Sequence, residues 1–208
     1  MRHLTLPPLR GLISEWTTQR APAPQYTGKM TYTAEEIKEQ LRTDPDKGFR
    51  MLVSSFMQPV YNNVRRLVVN NDDAQDVTQE TFVKIFKALP GIGEVQSLPA
   101  WIMKIATNEA IRFLQSEKAR TQATRLDAEE GVDLPADEYF DYSDIEAVKL
   151  QKAIHCLPRK QQAVFNLKYY DDLSYEEIGQ ITDCSPQTAK VNYHFAKKKI
   201  IELMSAEV

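Results

Sequence analysis

Glycine is scarce in this chain, 7 of 208 residues, and none of the seven belongs to a Gly-rich loop closed by Lys-Ser or Lys-Thr. Nucleotide hydrolysis on such a loop is excluded. There are two cysteines, Cys156 and Cys184, far apart in sequence. They cannot form a disulfide framework, and His155 beside Cys156 is one adjacent pair, not a metal-ligand spacing. His3 and His194 are equally scattered. No metal and no cofactor is expected, and no grouping of nucleophile, base and orienting side chain suggests an enzyme. Apolar runs extend only a few residues, far short of the roughly 20 that span a bilayer. Pro7, Pro8 and Arg10 interrupt any leader-like segment. A cytoplasmic protein without membrane insertion is expected. Alternating strand patterns are nearly absent as well, so the expected fold class is all-α.

Charge of one sign is missing in two places. From Leu126 to Ala147 there are nine acids and no lysine or arginine. Without those nine the formal net charge of −3 becomes +6. The stretch holds Gly131 and Pro135 and no long apolar period, so it reads as a linker. From Cys184 to Ile201 the reverse holds: no acid, but Lys190, Lys197, Lys198 and Lys199. A basic body interrupted by an acidic strap is the result. Four segments follow: an N-terminal extension at 1–45, partly flexible, a helical domain at 46–120, the acidic linker at 121–144, and a second helical domain at 145–208.

Residues 1–29 are loop-like, with "TTQRAPAPQYTGK" at 17–29, and Met30 opens a more ordinary start. They are expected to be dispensable, an upstream start codon assigned in error being one explanation. Thr33 with Glu36 three residues on is a capping box for a helix from about Ala34 to Leu41.

Within 46–120, Phe49, Leu52, Phe56, Val60, Val64 and Leu67 fall three or four apart and bury one face of a helix, which Pro59 should kink. "NNDD" at 70–73 caps the next helix, 74–89. Its buried stripe is Val77, Phe82, Ile85, Phe86 and Leu89, while Asp76, Gln79, Glu80, Lys84 and Lys87 point outward. "PGIGEVQS" (90–97) reads as a loop. Ser97 caps a third helix with Pro99 in its first turn. Trp101, Ile105 and Leu114 suggest core contact there, and Lys104, Asn108, Arg112, Lys118 and Arg120 form a basic, hydrogen-bonding side.

The string narrows the options further. "DDAQDVTQETFVKIFKAL" followed by "LPAWIMKIATNEAIRFL" closely resembles the core-binding and promoter-melting domain of extracytoplasmic-function (ECF) sigma factors of bacterial RNA polymerase. The family's Asp-Ala-x-Asp, Gln-Glu/Asp and Phe run appears as Asp73, Ala74, Asp76, Gln79, Glu80 and Phe82. Its Trp-Leu-x-x-Ile-Ala-x-Asn appears as Trp101, Ile102, Ile105, Ala106 and Asn108. The resemblance implies that Asp76, Gln79 and Glu80 meet basic clamp helices of the polymerase's largest subunit. It implies that the 90–97 loop and the Asn108 helix, with Lys104, Arg112, Lys118 and Arg120, hold single-stranded DNA at the downstream (−10) element.

In the last segment Pro158 starts a helix with Ala163, Val164 and Leu167 on its apolar face. Ser174 and Glu177 form a second capping box, and Ile178 and Ile181 bury that helix. After a tight turn, "TDCS", Ser185 and Pro186 start the final helix. Ala189, Tyr193, Ala196 and Ile200 face inward. Gln187, Thr188, Lys190, Asn192, His194, Lys197 and Lys198 form the opposite side. A short helix, a tight turn and a second helix with a polar side is a helix-turn-helix, whose second helix enters the major groove. Leu173 to Ile178, with Ser185, Thr188, Lys190 and Ala196, resemble the family's upstream (−35) reading domain. Asn192 and Phe195 stand where relatives commonly carry arginine, so the family's DNA contacts do not transfer to them.

The resemblance implies an alternative sigma factor that binds core RNA polymerase, directs it to promoter DNA and helps to open the duplex. It implies a strap that threads channels shaped for RNA, and it leaves room for an anti-sigma factor as a further partner. Two rivals stay open: a helix-turn-helix regulator that never joins polymerase, and a sigma-like protein-interaction module.

Overall fold

A computed structural model describes residues 32–124 and 145–206. The extension before Tyr32 and most of the acidic strap lie outside them. Among the described residues the regular elements are eight α-helices and one 3-10 helix, as the missing strand pattern anticipates. They are α1 (Ala34–Thr43), α2 (Pro45–Val68), α3 (Asn71–Ala88), the 3-10 helix Leu89–Glu94, α4 (Leu98–Thr124), α5 (Ile145–His155), α6 (Arg159–Tyr169), α7 (Tyr175–Thr182) and α8 (Pro186–Ala206).

Side-chain caps set the starts. The Thr33 hydroxyl accepts from the Glu36 amide at 3.2 Å while the Glu36 carboxylate accepts from the Thr33 amide at 2.7 Å. Asp44 accepts from the Lys47 amide at α2, and the Asn70 carbonyl oxygen takes the amides of Asp72 and Asp73. These bonds satisfy amides that a helix start leaves without partners. All six apolar positions of the α2 stripe are buried, and the helix runs through Pro59 to Val68. Gly48 lets α1 cross α2, since a β-carbon there would lie 2.5 Å from the Leu41 nitrogen.

Two expectations change in detail. The segment after α3 is mostly a 3-10 helix, because Leu89 and Ile92, three apart, then fall on one side and are both buried. On α4 the fully buried line is Leu98, Ile102, Ala106 and Ala110. Trp101, Ile105 and Leu114 are half-buried at its margin.

The two helical bodies touch. α4 packs on α7, and α2 meets α6. One buried cluster runs from α1–α4 into Ala163, Val164, Leu167, Ile178, Ile181 and Ala189; a second lies among α5, α6 and α8. The seam between the bodies is also polar. Arg66 Nη2 donates to both oxygens of Asp171 at 2.7 Å, with both side chains 7% exposed. Its guanidinium lies over the Tyr170 ring, 4.9 Å from the centroid, and the Tyr170 hydroxyl accepts from Gln151 on α5. Lys104 on α4 pairs with Asp183, the left-handed residue that ends α7.

His155 is buried near this seam. Gln162 Nε2 donates to its Nδ1 at 2.9 Å, which puts the ring proton on Nε2. Burial first, then the charges of Arg159 and Arg65, lower its pKa from 6.5 to about 4. Between those values the unfolded chain takes up a proton that the folded chain refuses, so stability falls as pH drops from 6.5 toward 4. This histidine alone should cost about 2 kcal/mol between pH 7 and pH 5. In His155→Asn the amide oxygen can still accept from Gln162 without titrating. Urea unfolding of both proteins across that range checks this, and parallel profiles would contradict it.

Candidate nucleic-acid interface

The helix-turn-helix forms as its local signals require. Ser174 and Glu177 make the capping box of α7, at 3.2 Å and 2.8 Å. Asp183 takes φ 54° to stop that helix, and Thr182 donates back to the Ile178 carbonyl. A β-carbon at Gly179 would lie 2.7 Å from the Cys184 carbonyl oxygen, so glycine lets the turn fold back on α7. The Ser185 hydroxyl then accepts from the Thr188 amide at 3.0 Å and starts α8. Ala189 is buried against α6 and α7, and Ala196 and Ile200 against α5 and α6, with Tyr193 half-buried and stacked at 5.8 Å on Phe165.

That packing turns the other side of α8 outward. Gln187, Thr188, Lys190, His194, Lys197 and Lys198 are exposed, and Asn192 is half-buried on the flank. The Ser185 and Thr188 hydroxyls bond each other at 2.7 Å, so Ser185 positions the helix start as well as facing solvent. The result is a cationic surface on a helix held by its opposite face, the geometry that fits a major groove.

The α4 residues are less free. Asn108 is exposed. Arg112 donates to Glu109, which also takes Lys84, and Lys104 is spent on Asp183. Lys118 and Arg120 belong to α4, but their side chains lie outside the described set.

On α3, Asp76 and Glu80 are exposed and Gln79 half-buried. Asp76 and Glu80, with Val77, line a groove of about 500 Å³ bounded on the α4 side by Glu109, Arg112 and Phe113; Gln79 is not part of its lining. The acid patch is wider than the motif alone suggests. Burial raises the Asp73 carboxyl, and the charges of Glu117, Asp76 and Asp72 push it further the same way. Glu117 comes from α4, so no spacing along α3 could have revealed it. Accumulated negative charge of this kind favours a basic partner.

Residues 52–120 match the Sigma-70 region 2 model and residues 147–200 match Sigma-70, region 4, together more than half of the chain. The ECF RNA polymerase sigma-E factor of Haemophilus influenzae is 27% identical over 179 residues, covering 81% of this chain and 93% of that protein. This chain belongs to the ECF sigma factors. The sigma-E factor of Escherichia coli K12 is 28% identical over 177 residues, covering 81% of this chain and 92% of its own length. Two solved structures share the fold. RpoE from Bartonella quintana in complex with the anti-sigma factor NepR has TM-score 0.62 at 21% identity, covering 78% of this sigma factor and 99% of that chain. CnrH with the cytosolic domain of CnrY has TM-score 0.61 at 18% identity, covering 83% and 97%. No described helix of this sigma factor is long and apolar enough to cross a membrane.

Proposed function

We propose that this sigma factor binds core RNA polymerase through the acidic α3–α4 groove and places it on promoters through α8. The observation that carries the reading is the pairing, in one chain, of an exposed acidic α3 face with a cationic helix-turn-helix. Region 2, within 46–120, would take the downstream element with Asn108 and its basic neighbours. Region 4, within 145–208, would read the upstream element. Sigma factors are not an enzyme class, and catalysis is left to the polymerase. An anti-sigma factor is a further partner, in line with RpoE, which was solved with one. Transcription by core polymerase on a promoter library, with and without this protein, tests the reading; no dependence on the protein overturns it. A regulator that never joins polymerase would fail a direct binding assay with core.

With α4 packed on α7 and α2 against α6, the two bodies form a closed arrangement. The two promoter elements are centred roughly 25 base pairs, or about 85 Å, apart at about 3.4 Å per base pair. Bodies joined by the Arg66–Asp171 and Lys104–Asp183 pairs cannot occupy both. The twenty residues 125–144 can reach about 70 Å at roughly 3.3–3.6 Å each, so the chain permits separation. Lys104 is then released from Asp183 and becomes available to DNA.

Within α8 the lysines should divide. Lys198→Ala removes a phosphate contact, so affinity should fall for all sequences and the log–log salt slope should flatten by about one. Lys190→Ala, nearer the N-terminal end, should instead change base preference, by about 1–3 kcal/mol for a good bidentate contact. Binding to a randomised upstream library separates the two. Equal weakening of every sequence by both variants would refute the division.

A further inference from the structure

The outward face of α8 is cationic at its margins and apolar along its middle. Val191 is 42% exposed and Phe195 53% exposed. Neither belongs to a buried cluster. At about 100° per residue, positions four apart stack along a helix, and this pair points opposite the buried line of Ala189, Ala196 and Ile200. Lys190 and His194 flank it on one side, and Lys198 lies one turn further on. The His194 ring meets Phe195 edge-on, with centroids 6.0 Å apart.

Single exposed apolar residues need no explanation. A pair at the centre of a face that carries no acid from Cys184 to Ile201 is different. The cationic rim selects a polyanion. The major groove offers one apolar feature at its base edges, the thymine C5 methyl, which phenylalanine and small apolar groups contact. The rise from Val191 to Phe195 is about 6 Å, close to two base-pair steps of about 3.4 Å.

We propose that Val191 and Phe195 form a thymine-methyl reading site, so that the upstream element contains thymines within two steps of each other. Phe195 then determines specificity through apolar contact, where an arginine would bond a base edge or a phosphate. The inference rests on the reading of α8 as the upstream-element helix.

The test begins with the full chain and core polymerase selecting duplexes from a library randomised at the upstream element. Each thymine of the selected duplex is then replaced by deoxyuridine, which removes only the methyl. Binding should weaken about fourfold for each methyl in contact, the equivalent of about 0.8 kcal/mol per buried CH₂-sized group. Phe195→Ala should bind thymine and uracil duplexes alike at one of those positions, and Val191→Ala at the other. Both side chains are exposed, so neither change removes core packing. An element without thymine on either strand overturns the proposal. So does equal binding of thymine and uracil duplexes by the wild-type protein, which would assign the patch to a protein contact; both results leave the upstream-element reading of α8 in place. If no element is selected at all, that reading fails and the methyl site fails with it.

Discussion

Asp171→Ala should open the molecule, weakening the contact between its two helical bodies by about 3 kcal/mol, or roughly 100-fold in the closed-to-open ratio. Arg66 would lose both carboxylate contacts while staying buried, and its Nε already has no hydrogen-bond partner among the described residues. Only the face of Tyr170 would remain under the charge. Burial raises the Asp171 carboxyl more than Arg66 lowers it. The pair therefore does not drive closure; it offsets the cost of burying Arg66, and removing one partner exposes that cost. Small-angle scattering should show a larger radius of gyration for the variant. Apparent affinity of the polymerase-bound protein for a promoter carrying both elements should rise, because a closed form that cannot occupy both lowers the competent fraction. Arg66→Met with Asp171→Leu should stay closed, since an apolar pair of similar volume replaces a buried ion pair at little cost. Scattering of Asp171→Ala that matches wild type would show that the pair does not hold the bodies together.

Asp76→Lys, Gln79→Ala and Glu80→Lys together should weaken core-polymerase binding by at least about 100-fold, or about 2.7 kcal/mol. Two reversals convert attraction to a basic surface into like-charge contact, which costs several kcal/mol. The fold should hold. Asp76 and Glu80 are exposed, and lysine is as good a helix former as the residues it replaces. Loss of the Asp76 charge also relieves the repulsion that raises the Asp73 carboxyl. Helical circular dichroism and thermal unfolding should match wild type while surface-immobilised core binds poorly. Normal affinity in a well-folded triple variant would remove the acidic α3 face from the polymerase interface.

What the sequence by itself determined is local. Thr33 with Glu36, Asn70 with the amides after it, Ser174 with Glu177, and Ser185 with Thr188 each act within three residues. Such contacts are nearly independent of the rest of the fold, so helix starts were legible to within a turn. The apolar spacing from Phe49 to Leu67 and from Ala189 to Ile200 named the buried faces for the same reason: 3.6 residues per turn is a property of the backbone. The polar side of α8 followed as the complement of its buried side. The 3-10 helix after α3 was not legible, because Pro90, Gly91 and Gly93 suit an open loop equally well; burial of Leu89 and Ile92 decided it.

Only the tertiary structure decided which charges are spent and which are free. Lys104 and Lys198 look alike in a sequence, yet one is held by Asp183, 79 residues away, and the other faces solvent. Arg66 and Asp171 are 105 residues apart, and nothing near either names its partner. Glu117 joins the acid patch from another helix, and His155 is kept neutral first by burial and then by charges from α6 and α2. Electrostatic energy depends on distance and burial, and both are set when helical faces meet.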